Sequence, residues 1–290
     1  MGTQDILNVA DSPVTLIIFT CTGREHLLYN SFNSFKAACD YPFSKTILAI
    51  DGKINPLAID HVQPDLVVQA TSRKGYVNNI LQALANIDTP YFFWLEDDWT
   101  FHKKVDIPWL LSFLETNADW SEIVLSKVGP LPPEFKLVPL GNDLYEGYGG
   151  FGANPCLCNT AHVRHAFHLL KHGDKGDRLG FDGFENFLTR IFKEESITCV
   201  LLDPVDRPAI SHEGYLESTP RNWHMTNSIE AKTKEHLLTV PAPSLIRRLF
   251  MVIKLFAAFF KLSVMQLFNN KIYELCFRVI ASAKTVGRDD

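Results

Sequence analysis

The chain has 290 residues, 46% of them apolar and 21% charged, which suits one large globular domain with or without an appendage and excludes bulk disorder. A formal charge of −5 excludes nucleic acid as the main partner, because a phosphate backbone calls for basic surface. The charge is uneven: residues 244–290 carry eight Lys/Arg against three Asp/Glu, a net +5 that leaves −10 on the remainder.

In chain order, the continuous apolar run Val14–Thr20 predicts a strand buried on both faces. The polar turn Cys21-Thr-Gly-Arg24 leads into a helical pattern from about Glu25 to Ala38, with Leu27, Leu28, Phe32 and Phe35 on one face. A second strand, Thr46–Ile50, ends at Asp51-Gly52, and Leu66–Gln69 forms a third. A helix from about Tyr76 to Asn86 precedes the strand Tyr91–Leu95, which runs directly into Glu96-Asp97-Asp98. The stretch Pro130–Pro155, which contains Gly147-Tyr-Gly-Gly-Phe-Gly152, reads as loops suited to close approach by a ligand. Helices over about 160–171 and 184–193 and a short strand over 198–202 follow. Strands alternating with helices predict a mixed, mainly parallel sheet with helices on both faces. Pro241 and Pro243 separate a body, residues 1–240, from a basic, apolar segment, residues 241–290.

Ligands of such sheets bind at the carboxyl ends of the strands. Here those ends carry Thr20, Thr22 and Arg24, then Asp51, then Glu96 and Asp98. Adjacent acids at a buried edge repel one another unless a cation compensates them. Carboxylate oxygens favour Mn2+ or Mg2+, which in turn bind phosphate oxygens. For a single Asp, a helix cap or turn would be the simpler explanation; three acids favour a metal that neutralises a diphosphate.

The run Ile17-Ile-Phe-Thr-Cys-Thr-Gly-Arg24, the acidic position Ala49-Ile-Asp51-Gly52, the stretch Ser72–Asn79 and the segment Tyr91–Asp98 occur in an order and spacing that resemble family-2-type glycosyltransferases with the GT-A fold. The similarity covers about residues 12–100. The resemblance implies a nucleotide-sugar donor and a divalent metal held by a DxD-type motif, here opened by Glu96 rather than Asp. It assigns the metal to Asp98 first and Glu96 second, with Asp97 beside the nucleotide-sugar. Thr20, Thr22 and Arg24 would line the nucleotide pocket, Asp51 would meet the base or ribose, and Arg73 with Asn78 or Asn79 would lie near nucleotide and donor sugar. Beyond the motif, an acid opening a helix would act as the base of an inverting transfer. Glu185 fits that role and Asp182 is the alternative, although Asp182 would also serve as a helix cap. His212, in Ser211-His-Glu-Gly-Tyr215, is a candidate further ligand to metal or diphosphate.

The segment 245–268 is apolar but interrupted by Arg247, Arg248, Lys254 and Lys261, three of them spaced by seven. On a helix those cations share a side, as in an in-plane interfacial helix drawn to anionic lipid. Packing against the body or in a homo-oligomer is the alternative, and a spanning helix would have to accommodate its lysines. The six scattered cysteines, without a C-x-x-C pair, read as thiols of a reducing compartment, and Cys156-x-Cys158 alone does not complete a zinc site. The expectation is therefore a cytoplasmic, metal-dependent glycosyltransferase, peripheral at the inner face of the membrane, with a glycan or lipid-linked acceptor. A sugar-nucleotide pyrophosphorylase is the enzymatic alternative, and a degenerate membrane-associated binding protein the non-enzymatic one.

Overall fold

A computed structural model of the chain describes residues 12–69, 75–126, 137–146, 150–173, 183–203 and 208–213. Arg73, Asp182 and the segment 241–290 lie outside the described residues. Among the described residues, no helix is long and apolar enough to cross a membrane.

The first strand, β1 (Val14–Cys21), is buried along nearly its whole length and lies at the centre of the parallel half of the sheet. On one side it pairs in parallel with β2 (Lys45–Asp51), which pairs in parallel with β3 (Leu66–Gln69). On the other it pairs in parallel with β4 (Tyr91–Glu96). Beyond β4, the short β9 (Cys156–Asn159) runs antiparallel to both β4 and β6 (Trp120–Leu125), and β10 (Thr198–Leu202) runs parallel to β6. A hairpin of β7 (Val138–Gly141) and β8 (Leu144–Glu146) completes the nine strands, in the order β3-β2-β1-β4-β9-β6-β10-β8-β7. Two further short strands, β5 (Trp99–Phe101) and β11 (Ile210–His212), pair separately and antiparallel.

Alternation along the strands divides the core in two. Leu16, Ile18, Leu48, Ile50, Phe93 and Leu95 face α1 (Glu25–Ala38), α2 (Pro56–Val62) and α4 (Ile107–Thr116). Ile17, Phe19, Ile47, Phe92 and Trp94 face α3 (Tyr76–Leu84), α5 (Thr160–Gly173) and α6 (Gly183–Glu194). The sheet is thus covered on both faces, as its apolar strands require. The shorter helices are defined by local chemistry. Asn55 caps α2 by accepting from the Leu57 N–H at 3.0 Å, and Asp106 caps α4 through the Trp109 N–H at 3.1 Å. Arg164 on α5 donates to the Leu84 and Ile87 carbonyls at 2.9 and 2.7 Å, supplying partners at the C-terminal end of α3. Arg24, which precedes α1, provides no side-chain cap, since a guanidinium has donors but no acceptor for the first N–H groups of the helix.

Candidate functional site

Strand register places the polar groups side by side. Cys21 at the end of β1 stands opposite Asp51 on β2, and Phe19 stands opposite Glu96 on β4. Thr22 links the first two strand ends: its N–H donates to the Asp51 carbonyl at 3.3 Å and its hydroxyl accepts from the Lys53 N–H at 2.9 Å. Asp51 itself is buried. Thr20 donates to Asp97 Oδ2 at 2.7 Å. The turn after β1 passes through Gly23 at φ 86°, a conformation that suits glycine, and directs Arg24 to the acids. Its guanidinium lies 2.9 Å from Asp97 Oδ1 and also donates to Asp98 Oδ2.

Glu96 is held differently from its neighbours. Its carboxylate accepts from the Tyr76 hydroxyl and from Trp99 Nε1, the latter at 3.4 Å, while its carbonyl accepts from Ser31 at 3.0 Å. The β5–β11 ladder sets His212 opposite Trp99, with ring centroids 4.6 Å apart. His212 Nε2 then sits 3.1 Å from Asp98 Oδ2, and the Glu213 N–H donates to the Asp98 carbonyl at 2.7 Å. A residue more than a hundred positions downstream is thereby fixed to the acidic turn.

The three carboxyls are not electrostatically equivalent. Loss of solvent, reinforced by the charge of Asp98, pushes Glu96 upward. Burial also raises Asp97, against the opposing pull of Arg24. For Asp98, burial is outweighed by the His212 hydrogen bond and charge and by Arg24, which hold it below the usual carboxylate range. Arg24 is held firmly protonated, the two aspartates more than offsetting its own burial. Asp98 Oδ1 is buried and has no hydrogen-bond partner among the described residues. An orphaned carboxylate oxygen, in a field shared with the Glu96 carboxyl, suits a hard dication, which prefers oxygen donors; the ligand atoms of Glu96, Asp98 and His212 are not all within 4.8 Å of one another.

A second group approaches from α6. Glu185 lies in the first turn of that helix, half-buried, and its Oε1 accepts from the Ala153 N–H at 2.7 Å. Its charge is among those raising Glu96 and Tyr76, which places it in the same electrostatic site. Thr189 donates to the Glu185 carbonyl at 2.8 Å and accepts from the Phe151 N–H at 3.0 Å, joining the 150–153 loop to α6. Gly150, at φ 123°, makes this approach possible: a Cβ there would lie 2.1 Å from Thr189 Cγ2. Of the two asparagines proposed near the donor, Asn79 is buried and donates to the Ala49 carbonyl at 3.1 Å, a link between α3 and β2. Asn78 Nδ2 is buried without a hydrogen-bond partner among the described residues.

Three further residues of the interior, Tyr76, Trp99 and Glu122, are not marked by any motif. Tyr76 and Trp99 hold Glu96 from positions that look like ordinary aromatic core. Glu122 was the more legible of the three, as a charge inside the apolar stretch Trp120-Ser-Glu-Ile-Val-Leu125. It is fully buried, accepts from the Gly152 N–H at 2.9 Å and is pushed well upward by burial.

Compared as a sequence, the chain matches no protein-family model and no curated protein. Compared as a fold, it matches solved glycosyltransferases. One is the mannosyltransferase PcManGT from Pyrobaculum calidifontis in complex with GDP-Man and Mn2+, at TM-score 0.50 and 14% identity, over 77% of this chain and 64% of that one. Another is GalNAc-T7 with UDP, GalNAc and Mn2+, at TM-score 0.50 and 10% identity, over 69% of this chain and 43% of that one. The chain has their fold, GT-A-like, with its mixed, mainly parallel sheet. It spans less than two thirds of the length of either.

Proposed function

We propose that the protein is a metal-dependent glycosyltransferase that moves a sugar from a nucleoside-diphosphate donor to an acceptor hydroxyl with inversion. The observation that carries this reading is the convergence on Asp98. Arg24 from the β1 turn and His212 from β11 both bond one oxygen of that carboxylate, while the other is left buried and unpartnered among the described residues. Both fold relatives are complexes with Mn2+ and a nucleotide or nucleotide-sugar, which is compatible with this assignment.

In the proposed reaction Asp98 and Glu96 hold Mn2+ or Mg2+, with His212 as a further ligand to metal or diphosphate. When bound, the ion neutralises charge developing on the leaving diphosphate. Thr20, Thr22, Arg24 and Asp97 flank the nucleotide, Asp51 meets base or ribose, and Arg73 with Asn78 contacts the donor. Glu185 takes the proton of the acceptor hydroxyl as that oxygen attacks the anomeric carbon. The Ala153 N–H at 2.7 Å orients its carboxylate for the transfer. Tyr76 and Trp99 fix Glu96, and the covering aromatic residues Trp94, Phe151 and Phe184 exclude water from that side. The acceptor is a glycan or a lipid-linked glycan, the latter suited to the basic C-terminal segment.

The test is release of nucleoside diphosphate from a panel of nucleotide sugars, with Mn2+ and with chelator, for wild type and Asp98→Ala. Turnover should need the metal and should fall about a thousandfold or more in the variant, the effect of losing several kcal/mol of metal-centred stabilisation. Absence of both turnover and metal-dependent nucleotide binding in the wild type would sink the proposal.

A further inference from the structure

A second group of metal-capable side chains lies inside the sheet, away from the strand ends. In the sequence, Cys156-x-Cys158 lacks the partners of a zinc site; β-pairing supplies them. Alternation along β9 places both thiols on the face beneath α5 and α6, with their sulfurs 3.3 Å apart. On the neighbouring strand Glu122 pairs with Cys158, and on the next Cys199 pairs with Glu122. Ligand atoms of Glu122, Cys156 and Cys158 all lie within 4.8 Å of one another, and the three residues are fully buried.

Glu122 supplies an independent indication. Its Oε1 accepts from the Gly152 N–H at 2.9 Å and the Cys156 and Cys199 thiols interact with the carboxyl, while the buried Oε2 has no partner at full hydrogen-bond geometry among the described residues. A buried carboxyl beside two thiols must either stay protonated or be met by a cation, and the neighbouring thiols supply the remaining ligands for the second. The ligand types select the ion. Two sulfurs and one oxygen suit Zn2+ and disfavour Mg2+ and Mn2+, which take oxygen. Tetrahedral zinc with bonds of about 2.3 Å to sulfur sets its donors roughly 3.5–4 Å apart, within reach of the observed spacing. A Cys156–Cys158 disulfide fits less well, because residues two apart on a strand have Cα atoms roughly 6.7 Å apart, near the limit for bridging.

We propose that Glu122, Cys156 and Cys158 form a structural zinc site joining β6 to β9, closed by Cys199, which pairs with Glu122 on the next strand, as the fourth ligand. The ion would fix the strand whose Glu122 also holds the Gly152 N–H, and through it the loop whose Ala153 N–H binds Glu185. The site is chemically separate from the strand-end carboxylates and does not depend on the glycosyltransferase reading.

The experiment is metal analysis of the untagged full chain, expressed with added zinc and washed with a mild chelator. Wild type should retain about one zinc per chain, because a closed site exchanges only with unfolding. Cobalt-substituted wild type should show a sulfur-to-cobalt charge-transfer band. Cys156→Ser and Glu122→Gln should each reduce zinc to about a tenth or less, whereas Asp98→Ala should leave it unchanged. Since core variants can fail to fold, the wild-type measurement decides by itself. Wild type without zinc, a Cys156–Cys158 disulfide in its mass spectrum, or zinc retained by both variants would each overturn the proposal.

Discussion

Asp98 is bonded from three directions, by Arg24, by His212 and, at its carbonyl, by the Glu213 N–H. Glu185 has a different setting: half-buried, oriented by one backbone N–H and electrostatically linked to Glu96. These environments are what the proposed reaction asks of the two acids, one as ligand and one as base. Glu185→Gln keeps the shape and the acceptor for the Ala153 N–H but cannot take a proton. It should lower kcat by about a hundredfold to ten-thousandfold, the usual range for a general base, while nucleotide affinity measured by calorimetry stays within about threefold. Asp98→Asn should instead weaken metal-dependent nucleotide binding itself. If Glu185→Gln turns over normally, Asp182→Asn becomes the variant that must lose activity.

At the scale of elements, what the sequence revealed follows from length and periodicity. The helix expected over Glu25–Ala38 is α1 with those bounds, and the strands expected over Thr46–Ile50 and Tyr91–Leu95 are β2 and β4, each extended to take in the following acid. Long apolar strands and amphipathic helices announce themselves locally. By contrast, β5 and β11 have three residues each, β9 has four, and the β7–β8 hairpin lies in a stretch whose Pro and Gly content reads as loop. Their existence depends on partners distant in sequence, so no local pattern marks them. The same limit applies to the site. The acids at strand ends were legible from alternation alone, but the contact of His212 with Asp98 needs the β5–β11 ladder, and the support of Glu96 by Tyr76 and Trp99 needs the packed fold. The 150–153 loop is a further case, because it is seated on α6 through a glycine. Gly150→Ala places a methyl group against Thr189 and strains a positive φ, which should cost about 1–3 kcal/mol in a denaturant melt. Displacing the loop also displaces the Ala153 N–H from Glu185. Turnover should therefore fall more than donor affinity; equal losses would show that the loop supports binding rather than the base.

For the whole molecule, the strongest contrast is of charge, between a body at −10 and a segment 244–290 at +5. A net-negative body is repelled by an anionic lipid surface, so any attachment there must come from the basic segment. In residues 245–268, Arg247, Lys254 and Lys261 recur every seven positions among Leu249, Phe250, Ile253, Phe256, Phe259, Phe260 and Leu267. That spacing combines cations for headgroups with aromatic and aliphatic area for the acyl boundary. We propose that this segment brings the catalytic body to anionic membrane, where a lipid-linked acceptor would be concentrated. Each basic residue near such a surface contributes about 1 kcal/mol, so reversing two charges in the full chain, Lys254→Glu with Lys261→Glu, should weaken partitioning by at least about tenfold. Co-sedimentation with vesicles containing phosphatidylserine measures it, and high salt should reproduce much of the loss because the attraction is screened. Hydrolysis of the donor in solution should be unaffected by the double variant. Partitioning that is unchanged by charge reversal and by salt would instead assign the segment to packing within the protein or between copies.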